Sequence, residues 1–263
     1  LTGSRAAYSR PRGDDAAYGF FGAPAGYAMI ARRHMEEFGT TSRQLGEGAV
    51  ACRKHASMNP NAQFQTPITL EDHQNSRYVA EPLHLLDCCP VSDGGAAIIV
   101  TSAERARDLK KPPVYILGIG QSHPAWDVHA REQITTSGAK ASGEMAFTMA
   151  GLGPRDMQFA QLYDCFSIVP IITLEDYGFC KKGEGGAFVE GGRIQRGGDL
   201  PLNTSGGLLG ETGMPGMQLI IEGVRQIRGE CGPRQVPNAR VGIISGQGGI
   251  MTTHATLILG AER

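Results

Sequence analysis

The sequence predicts an α/β fold in which a mixed sheet is sandwiched between helices. From residue 96 onward, short apolar runs typical of buried strands alternate with helical patterns, as expected for a layered sheet. The last two strand-like runs, RVGIISG and MTTHATLILG, are separated only by QGGI, so we expect them to pair antiparallel as a hairpin. An antiparallel pair among strands that are otherwise joined by helices makes the predicted sheet mixed.

Two helices are predicted near the start of the chain. In PAGYAMIARRHMEEFG the apolar residues recur at helical spacing until Gly39, which is a stop signal. The segment TTSRQLGEGAVACRKHASMNP has Thr41 or Ser42 as its N-cap and ends at Asn59, before a proline. Residues 1–23 are expected to be loop, and TPITLEDHQNSRYVAEP is a polar connection of the kind that often covers a site.

A strand and a helix are predicted just before a double proline. AAIIVTS is a continuous apolar run, which suits a strand that is buried on both faces. SAERARDL follows as a helix with Ser102 as its cap. Because Pro112 and Pro113 break the chain, we predict two modules that comprise residues 1–111 and residues 112–263.

The second module repeats strand and helix patterns. Its predicted strands are VYILGIGQS, FAQLYDCFS and LPLN, followed by the closing hairpin. Its predicted helices are ASGEMAFTMAGLG, IVPIITLEDYGFC and GMQLIIEGVRQIRG. In an open α/β sheet the loops at the carboxyl ends of strands line the site. The loops LYDCFS, NTSGGLLGETGMPG and ISGQGG are therefore expected to converge.

Composition excludes several functional classes. The 263 residues carry a net charge of -1 without a basic block, which gives no electrostatic case for binding nucleic acid or an anionic membrane. No apolar run is long enough to cross a bilayer, and the first residues lack the apolar core of a signal peptide, so we expect a cytoplasmic protein. The six cysteines form no CxxC pair and the histidines show no metal-binding spacing, so reduced thiols and no metal site are expected.

Several motifs, taken in order, resemble one family. YDCFS, TLEDYGFCKKGEGGAFV, GGDLPLNTSGGLL, EGVRQIRGE and GPRQVP follow one another as in the C-terminal domain of the thiolase superfamily. The resemblance is to the sterol-carrier-protein or lipid-transfer type, often named acetyl-CoA acetyltransferase, and it runs from about Pro24 to the C-terminus. DGGAAIIVTSAERARDL is similar to the end of the N-terminal thiolase domain. The resemblance implies a thiolase-like layered α/β/α/β/α fold whose N-terminal half is incomplete here.

The same resemblance implies the ligands and the assembly. A thiolase-like subunit acts on an acyl-CoA, so coenzyme A is expected as part of the substrate, and no permanently bound cofactor is expected. A homodimer is implied. Relatives of this type often pair with a small OB-fold protein that sometimes contains zinc, so such a partner subunit is also expected.

The catalytic set that the resemblance implies is altered in this chain. The family uses a nucleophilic cysteine in its N-terminal half, and none of the six cysteines here fits that context. Tyr163 stands where the family has an Asn or His that helps to hold an oxyanion. Met214 falls near the His of a Gly-His-Pro loop, and Ile244 falls at the cysteine of a Cys-x-Gly loop. A thioether and an alkyl group cannot move the protons that Claisen chemistry requires.

Three residues are candidates for catalysis. Tyr163 carries a phenol, which donates a hydrogen bond and can give up its proton if neighbours lower its pKa. Asp164 and Glu211 are candidates for the base or for an orienting carboxylate. Each has a structural alternative. Tyr163 could be a core tyrosine bonded to the backbone. Asp164 could be a hydrogen-bond acceptor on the opposite face of the strand, and Glu211 could cap a helix. For the two carboxylates the structural alternative is favoured.

The candidate substrate-binding residues lie in the same loops. Asn203 either pins the glycine turn through backbone bonds, which is favoured, or contacts the substrate. Met214 is expected to fill apolar space. The glycines either let a backbone amide approach a thioester oxygen or serve the turns. They are Gly206, Gly213, Gly246 and Gly248.

One function is favoured and two alternatives remain. The favoured function is an acyltransferase-type enzyme that makes or breaks a C–C bond in an acyl-CoA thioester. The first alternative is a retro-aldolase on a β-hydroxyacyl-CoA with Tyr163 as acid/base, because the altered catalytic set resembles that of the steroid side-chain aldolases of this superfamily. The second alternative is a non-catalytic scaffold for the small OB-fold partner. Residue chemistry favours the aldolase, whereas the name that such sequences usually carry favours the acyltransferase.

Overall fold

The structure is a computed structural model of the chain, and it describes residues 19–20, 22–214 and 216–263. The loop predicted over residues 1–23 therefore lies mostly outside the described residues, as does the proline of the Gly-Met-Pro loop. In the described part of the chain, no helix is long and apolar enough to cross a membrane.

Two long helices begin the described chain, as predicted. Helix α1 spans Gly22–Phe38 and helix α2 spans Ser42–Ala56. Thr41 caps α2 through a capping box, in which its hydroxyl accepts from the Gln44 amide and its own amide donates to the Gln44 side chain. The connection that follows contains a short helix and a two-stranded hairpin, namely α3 (Leu70–Asn75), β1 (Tyr78–Ala80) and β2 (Leu83–His84).

The predicted strand AAIIVTS is not a strand in this structure. Residues 91–102 form neither helix nor strand, and Ile99 is 91% exposed. A strand that is buried on both faces needs a neighbouring strand and two covering layers, and no strand among the described residues pairs with this segment. The helix after it, α4 (Ala103–Arg107), begins as predicted with Ser102 as its N-cap.

A four-stranded mixed sheet organises the second half of the chain. Its order is β3-β6-β5-β4, and β6 pairs antiparallel with both of its neighbours, whereas β4 and β5 are parallel. The closing hairpin is therefore confirmed. The strands are β3 (Tyr115–Ser122), β4 (Phe159–Gln161), β5 (Val241–Gly248) and β6 (Thr253–Gly260). The predicted strand LPLN is reduced to a single parallel bridge between Leu202 and Ala160.

Helices cover both faces of the sheet, which makes the fold a layered α/β fold of the predicted class. Helix α5 (Ala139–Ala150) lies so close to β3 that a Cβ on Gly120 would overlap the backbone of Ser142. On the opposite face, Gly223 meets the side chain of Ile244. The remaining helices are α6 (Ile168–Asp176), α7 (Gly185–Phe188), α8 (Gly207–Gly210) and α9 (Met217–Arg228). Every residue of α6 is buried, so this helix forms the centre of the core.

Candidate active site

Three chain segments meet around Tyr163 at one edge of the sheet. Strands β4 and β5 are parallel, so their carboxyl ends lie at the same edge. The Tyr163 amide donates a 2.9 Å hydrogen bond to the hydroxyl of Ser245 within β5. On the other side, a Cβ built on Gly216 would lie 3.5 Å from Cδ2 of Tyr163. The structure thus brings together the segment after β4, the glycine turn before α9 and the second half of β5. The expectation that ISGQGG is a loop was wrong, because residues up to Gly248 pair with β6.

A fourth segment, residues 88–94, closes the site from the N-terminal part. Cys88 forms an antiparallel bridge with Phe166, and the Cys89 amide donates a 3.0 Å hydrogen bond to the carbonyl of Cys165. Gly213 lies directly against this segment, because a Cβ there would be 3.7 Å from the sulfur of Cys89. Cys89 and Cys165 both contribute to the raised pKa of the Tyr163 phenol, so both thiols lie near it.

The phenol of Tyr163 and the thiols of Cys89 and Cys165 hold their protons at neutral pH. Tyr163 is half-buried, and burial raises the pKa of its phenol, with further contributions from Cys165, Cys89 and Asp164. Burial also raises the pKa of Cys89 to about 11 and that of Cys165 well above its usual value. The thiolate, rather than the thiol, is the nucleophile. The site therefore presents a phenol and two thiols as hydrogen-bond donors.

The Asp164 carboxyl group is fully buried, whereas Tyr163 is only partly buried. Strand β4 ends at Gln161, so the predicted strand FAQLYDCFS does not extend to these two residues. The Oδ1 of Asp164 accepts a 2.7 Å bond from the Leu208 amide, and its Oδ2 accepts 3.4 Å bonds from the Leu209 amide and the Cys52 thiol. Burial raises the pKa of Asp164 to about 6. Asp164 is thus a buried hydrogen-bond acceptor, as in its structural alternative.

Asn203 clamps the backbone just before Tyr163. Its Oδ1 accepts from the Leu162 amide at 2.7 Å, and its Nδ2 donates to the Leu162 carbonyl at 2.8 Å. Its φ of 50° and the φ of 109° at Gly206 turn the chain into α8. Both polar atoms of this buried amide are thus used to pin the turn within the protein.

Glu211 lies beside a second feature of the same turn, a polar cavity of about 360 Å³. It is the C-cap of α8 rather than a cap of α9. Burial raises the pKa of Glu211. Among the described residues its buried Oε2 has no hydrogen-bonding partner. The other residues that line the cavity are Asn61, Gln63, Val91, Ser92, Asp93 and Thr212.

Met214 and Ile244, which the sequence analysis placed at the family's acid/base positions, both pack against other residues. Met214 rests on Gly94, where a Cβ would overlap its sulfur. Ile244 is buried against Gly223 of α9. Gly248 lies at the end of the hairpin beside Thr253, whereas a Cβ on Gly246 would meet no described atom within 4 Å. Gly246 therefore leaves open space at the end of β5.

Sequence reasoning missed three residues next to Tyr163: Ser245, Gly216 and Cys89. Ser245 had a signal, since it lies in the segment ISGQGG that was singled out, although the structure places it within β5. Gly216 also had a sequence signal, because it stands at the start of the predicted helix GMQLIIEGVRQIRG and a glycine adopts the left-handed conformation readily. Its φ in the structure is 67°. Cys89 had no local signal, since its contacts come from distant segments.

Known proteins resemble this chain over most of its length. Residues 120–261 match the family described as thiolase C-terminal domain-like. The chain is 46% identical over 245 residues to a steroid side-chain-cleaving aldolase of Thermomonospora curvata, covering 90% of this chain and 61% of that protein. It is 44% identical over 238 residues to an acetyl-CoA acetyltransferase of Methanothermobacter thermautotrophicus, covering 88% and 62%.

A solved structure also resembles this chain over most of its length. The Ltp2-ChsH2(DUF35) aldolase superposes with a TM-score of 0.89 at 43% identity, covering 96% of this chain and 69% of that chain. The chain spans only about three fifths of the length of the two curated relatives. The family match covers more than half of the sequence, and it confirms the resemblance read from the motifs. The chain belongs to the thiolase superfamily.

Proposed function

We propose that the protein is an enzyme that cleaves a C–C bond in an acyl-CoA thioester by a retro-aldol step, with Tyr163 as the hydrogen-bond donor. The observation that carries the proposal is a protonated phenol on a residue where three chain segments meet. A retro-aldol step needs a donor for the departing enolate and no covalent cysteine. Met214 and Ile244, which cannot transfer protons, occupy the places of the usual acid and base.

In this step the β-hydroxyl passes its proton to solvent and becomes a carbonyl as the bond between Cα and Cβ breaks. The electron pair moves onto the thioester as an enolate, and a proton from solvent adds at Cα to yield a shortened acyl-CoA. Tyr163 donates its hydrogen bond to the enolate oxygen. Because burial raises the pKa of the phenol, Tyr163 suits the role of donor better than that of base.

Two relatives support the aldolase reading over the acyltransferase reading, namely the Thermomonospora protein and the solved aldolase. The acyltransferase is the second candidate, and the 44% identity to an acetyl-CoA acetyltransferase favours it. That chemistry needs a nucleophilic thiolate. The thiols of Cys89 and Cys165 have raised pKa values, which disfavours either of them as the nucleophile.

The assembly and ligands are part of the same proposal. We infer a cytoplasmic homodimer that takes coenzyme A only as part of its substrate and needs no resident cofactor or metal. A small OB-fold partner subunit, which sometimes contains zinc in relatives, is also proposed, and the solved aldolase supports it because its name includes ChsH2(DUF35). The division into residues 1–111 and 112–263 stays a prediction.

Product analysis of the full-length protein tests the proposed function. Incubation with a β-hydroxyacyl-CoA in the absence of free CoA should release a ketone or aldehyde together with a shortened acyl-CoA, both detected by mass spectrometry. Cleavage of a β-ketoacyl-CoA that requires free CoA would establish the acyltransferase instead. No turnover, together with tight binding of a small OB-fold protein, would establish the scaffold.

A further inference from the structure

Asp164 differs in its partners from the other described acids whose whole side chain is buried, a set that does not include the partly buried Glu211. Each of the others contacts a basic side chain, in the pairs Asp87–His73, Glu175–Lys182, Asp176–Lys182 and Glu222–Arg234. Asp164 is fully buried, and its described hydrogen-bond donors are neutral: two backbone amides, a thiol and the side-chain amide of Asn203. This carboxyl group is therefore buried without a compensating charge.

Such an arrangement does not favour folding. A buried carboxylate without a basic partner is disfavoured, which is why burial raises the pKa of Asp164 to about 6. An uncharged side chain of the same size would avoid this cost. The presence of an acid at this position therefore calls for a role other than stability.

The contacts of Asp164 lie on the elements that build the Tyr163 site. Leu208 and Leu209 belong to α8, in the turn that ends at Gly216 against the phenol ring. Cys52 belongs to α2, and its thiol donates to the same carboxyl group. Asp164 also follows Tyr163 directly in the chain. One carboxyl group thus ties the glycine turn and α2 to the residue that carries the phenol.

We propose that Asp164 is the positioning residue of this site, which by holding the amides of Leu208 and Leu209 sets the glycine turn against the ring of Tyr163. The ionised carboxylate accepts stronger hydrogen bonds than the neutral acid does. The turn is therefore held more tightly as the pH rises through the range in which Asp164 loses its proton. The positioning role of Asp164 does not depend on which reaction the protein catalyses. Only the statement that the positioned phenol takes part in a retro-aldol step rests on the proposed function.

The titratable groups that face Asp164 do not compete in that range. They are Cys52 on α2, Cys89 on the 88–94 segment, and Tyr163 and Cys165 on its own segment. Each has a pKa raised above its ordinary value, so all of them stay neutral between pH 5 and 7. Asp164 is thus the group of this described cluster that changes charge there.

A pH titration by nuclear magnetic resonance tests the positioning role without any substrate. With labelled leucine and tyrosine, the amide signals of Leu208 and Leu209 and the ring signals of Tyr163 should shift together between pH 4.5 and 8, with one midpoint near 6. Asp164→Asn should abolish this shared transition. Asp176→Asn, which alters a buried acid that pairs with Lys182, should leave it unchanged.

Two results would overturn the proposal. The first is that the signals of Leu208, Leu209 and Tyr163 do not move between pH 4.5 and 8. The wild-type protein alone gives this result, so the test holds even if the variant does not fold. The other is a transition that persists in Asp164→Asn. Activity gives a separate readout: turnover of a β-hydroxyacyl-CoA should fall at least about tenfold in Asp164→Asn with little change in KM. If the wild type has no turnover, the proposed function fails while the titration still decides the positioning role.

Discussion

The amide of Tyr163 donates a 2.9 Å hydrogen bond to the hydroxyl of Ser245. The bond joins the segment after β4 to the neighbouring strand β5, and Ser245 is buried. It fixes the backbone that carries the phenol. The geometry of the candidate site therefore depends on the register of β4 and β5 as well as on the glycine turn.

Ser245→Ala removes this acceptor. The Tyr163 amide is then left unpaired in a partly buried place, which should destabilise the protein by about 1–3 kcal/mol in urea unfolding and lower its turnover. Ser142→Ala is the matched control, since Ser142 is a buried hydroxyl on α5 that bonds to Thr256. Both variants should lose stability, but Ser142→Ala should keep its turnover. Equal turnover in the two would show that the Ser245 bond does not support the site.

Gly216→Ala tests the contact with the phenol ring. Both Gly216 and Gly229 have positive φ, at 67° and 72°, so an alanine at either position should cost roughly 1–2 kcal/mol of stability. A Cβ on Gly229 would meet no described atom within 4 Å, whereas one on Gly216 would contact Tyr163. Turnover should therefore fall in Gly216→Ala and not in Gly229→Ala. An equal effect of the two on turnover would mean that the space beside the ring is not used.

Gly246→Ala tests whether the open space at the end of β5 receives the thioester. Because a Cβ there would have room, the change in stability should stay within about 0.5 kcal/mol. The added methyl group should instead raise the KM for the acyl-CoA, as measured by steady-state kinetics. Gly48→Ala, at another open position, on α2, serves as the control. A KM that is the same in both variants would place the thioester elsewhere.

Two buried histidines make stability depend on pH. Burial lowers the pKa of His55 and of His254 to about 4, whereas an unfolded histidine titrates near 6.5. Below pH 6.5 the unfolded chain binds protons that the folded protein does not. The contribution of each histidine is therefore full above pH 6.5 and is lost as the pH falls toward 4, by about 2 kcal/mol at pH 5.

Urea unfolding at pH 7.5, 6 and 5 measures this loss. His254→Gln should remove the part of the pH dependence that His254 contributes, and an unchanged dependence would contradict the assignment. Asp164 acts in the opposite direction, since its pKa is raised to about 6. Its contribution is full below about pH 4 and is lost as the pH rises through 6.

The sequence was informative wherever a local pattern decides the structure. Helix α2 begins after Thr41, one of the two predicted cap positions, and the strand patterns on either side of QGGI form the hairpin β5–β6. Ser102 likewise caps α4 as predicted. These features depend on residues a few positions apart, so they are visible without the fold.

Features that depend on distant partners could not be read in this way. AAIIVTS has the composition of a central strand, but a strand forms only with a neighbour to bond to, and none of the described strands pairs with it. Cys89 likewise lies near the phenol through a bond to Cys165, far along the chain. The lone bridge at Leu202 is a third case, since its pairing partner Ala160 belongs to another strand.

A comparison of the wild-type full-length protein with Tyr163→Phe, acting on a β-hydroxyacyl-CoA without free CoA, tests the central claim most directly. Phenylalanine keeps the ring and removes only the hydroxyl, so packing against Gly216 is retained. The account predicts that single-turnover cleavage slows by about two to three orders of magnitude, because the enolate loses its donor. An unchanged rate in Tyr163→Phe, or cleavage that strictly requires free CoA, would contradict it.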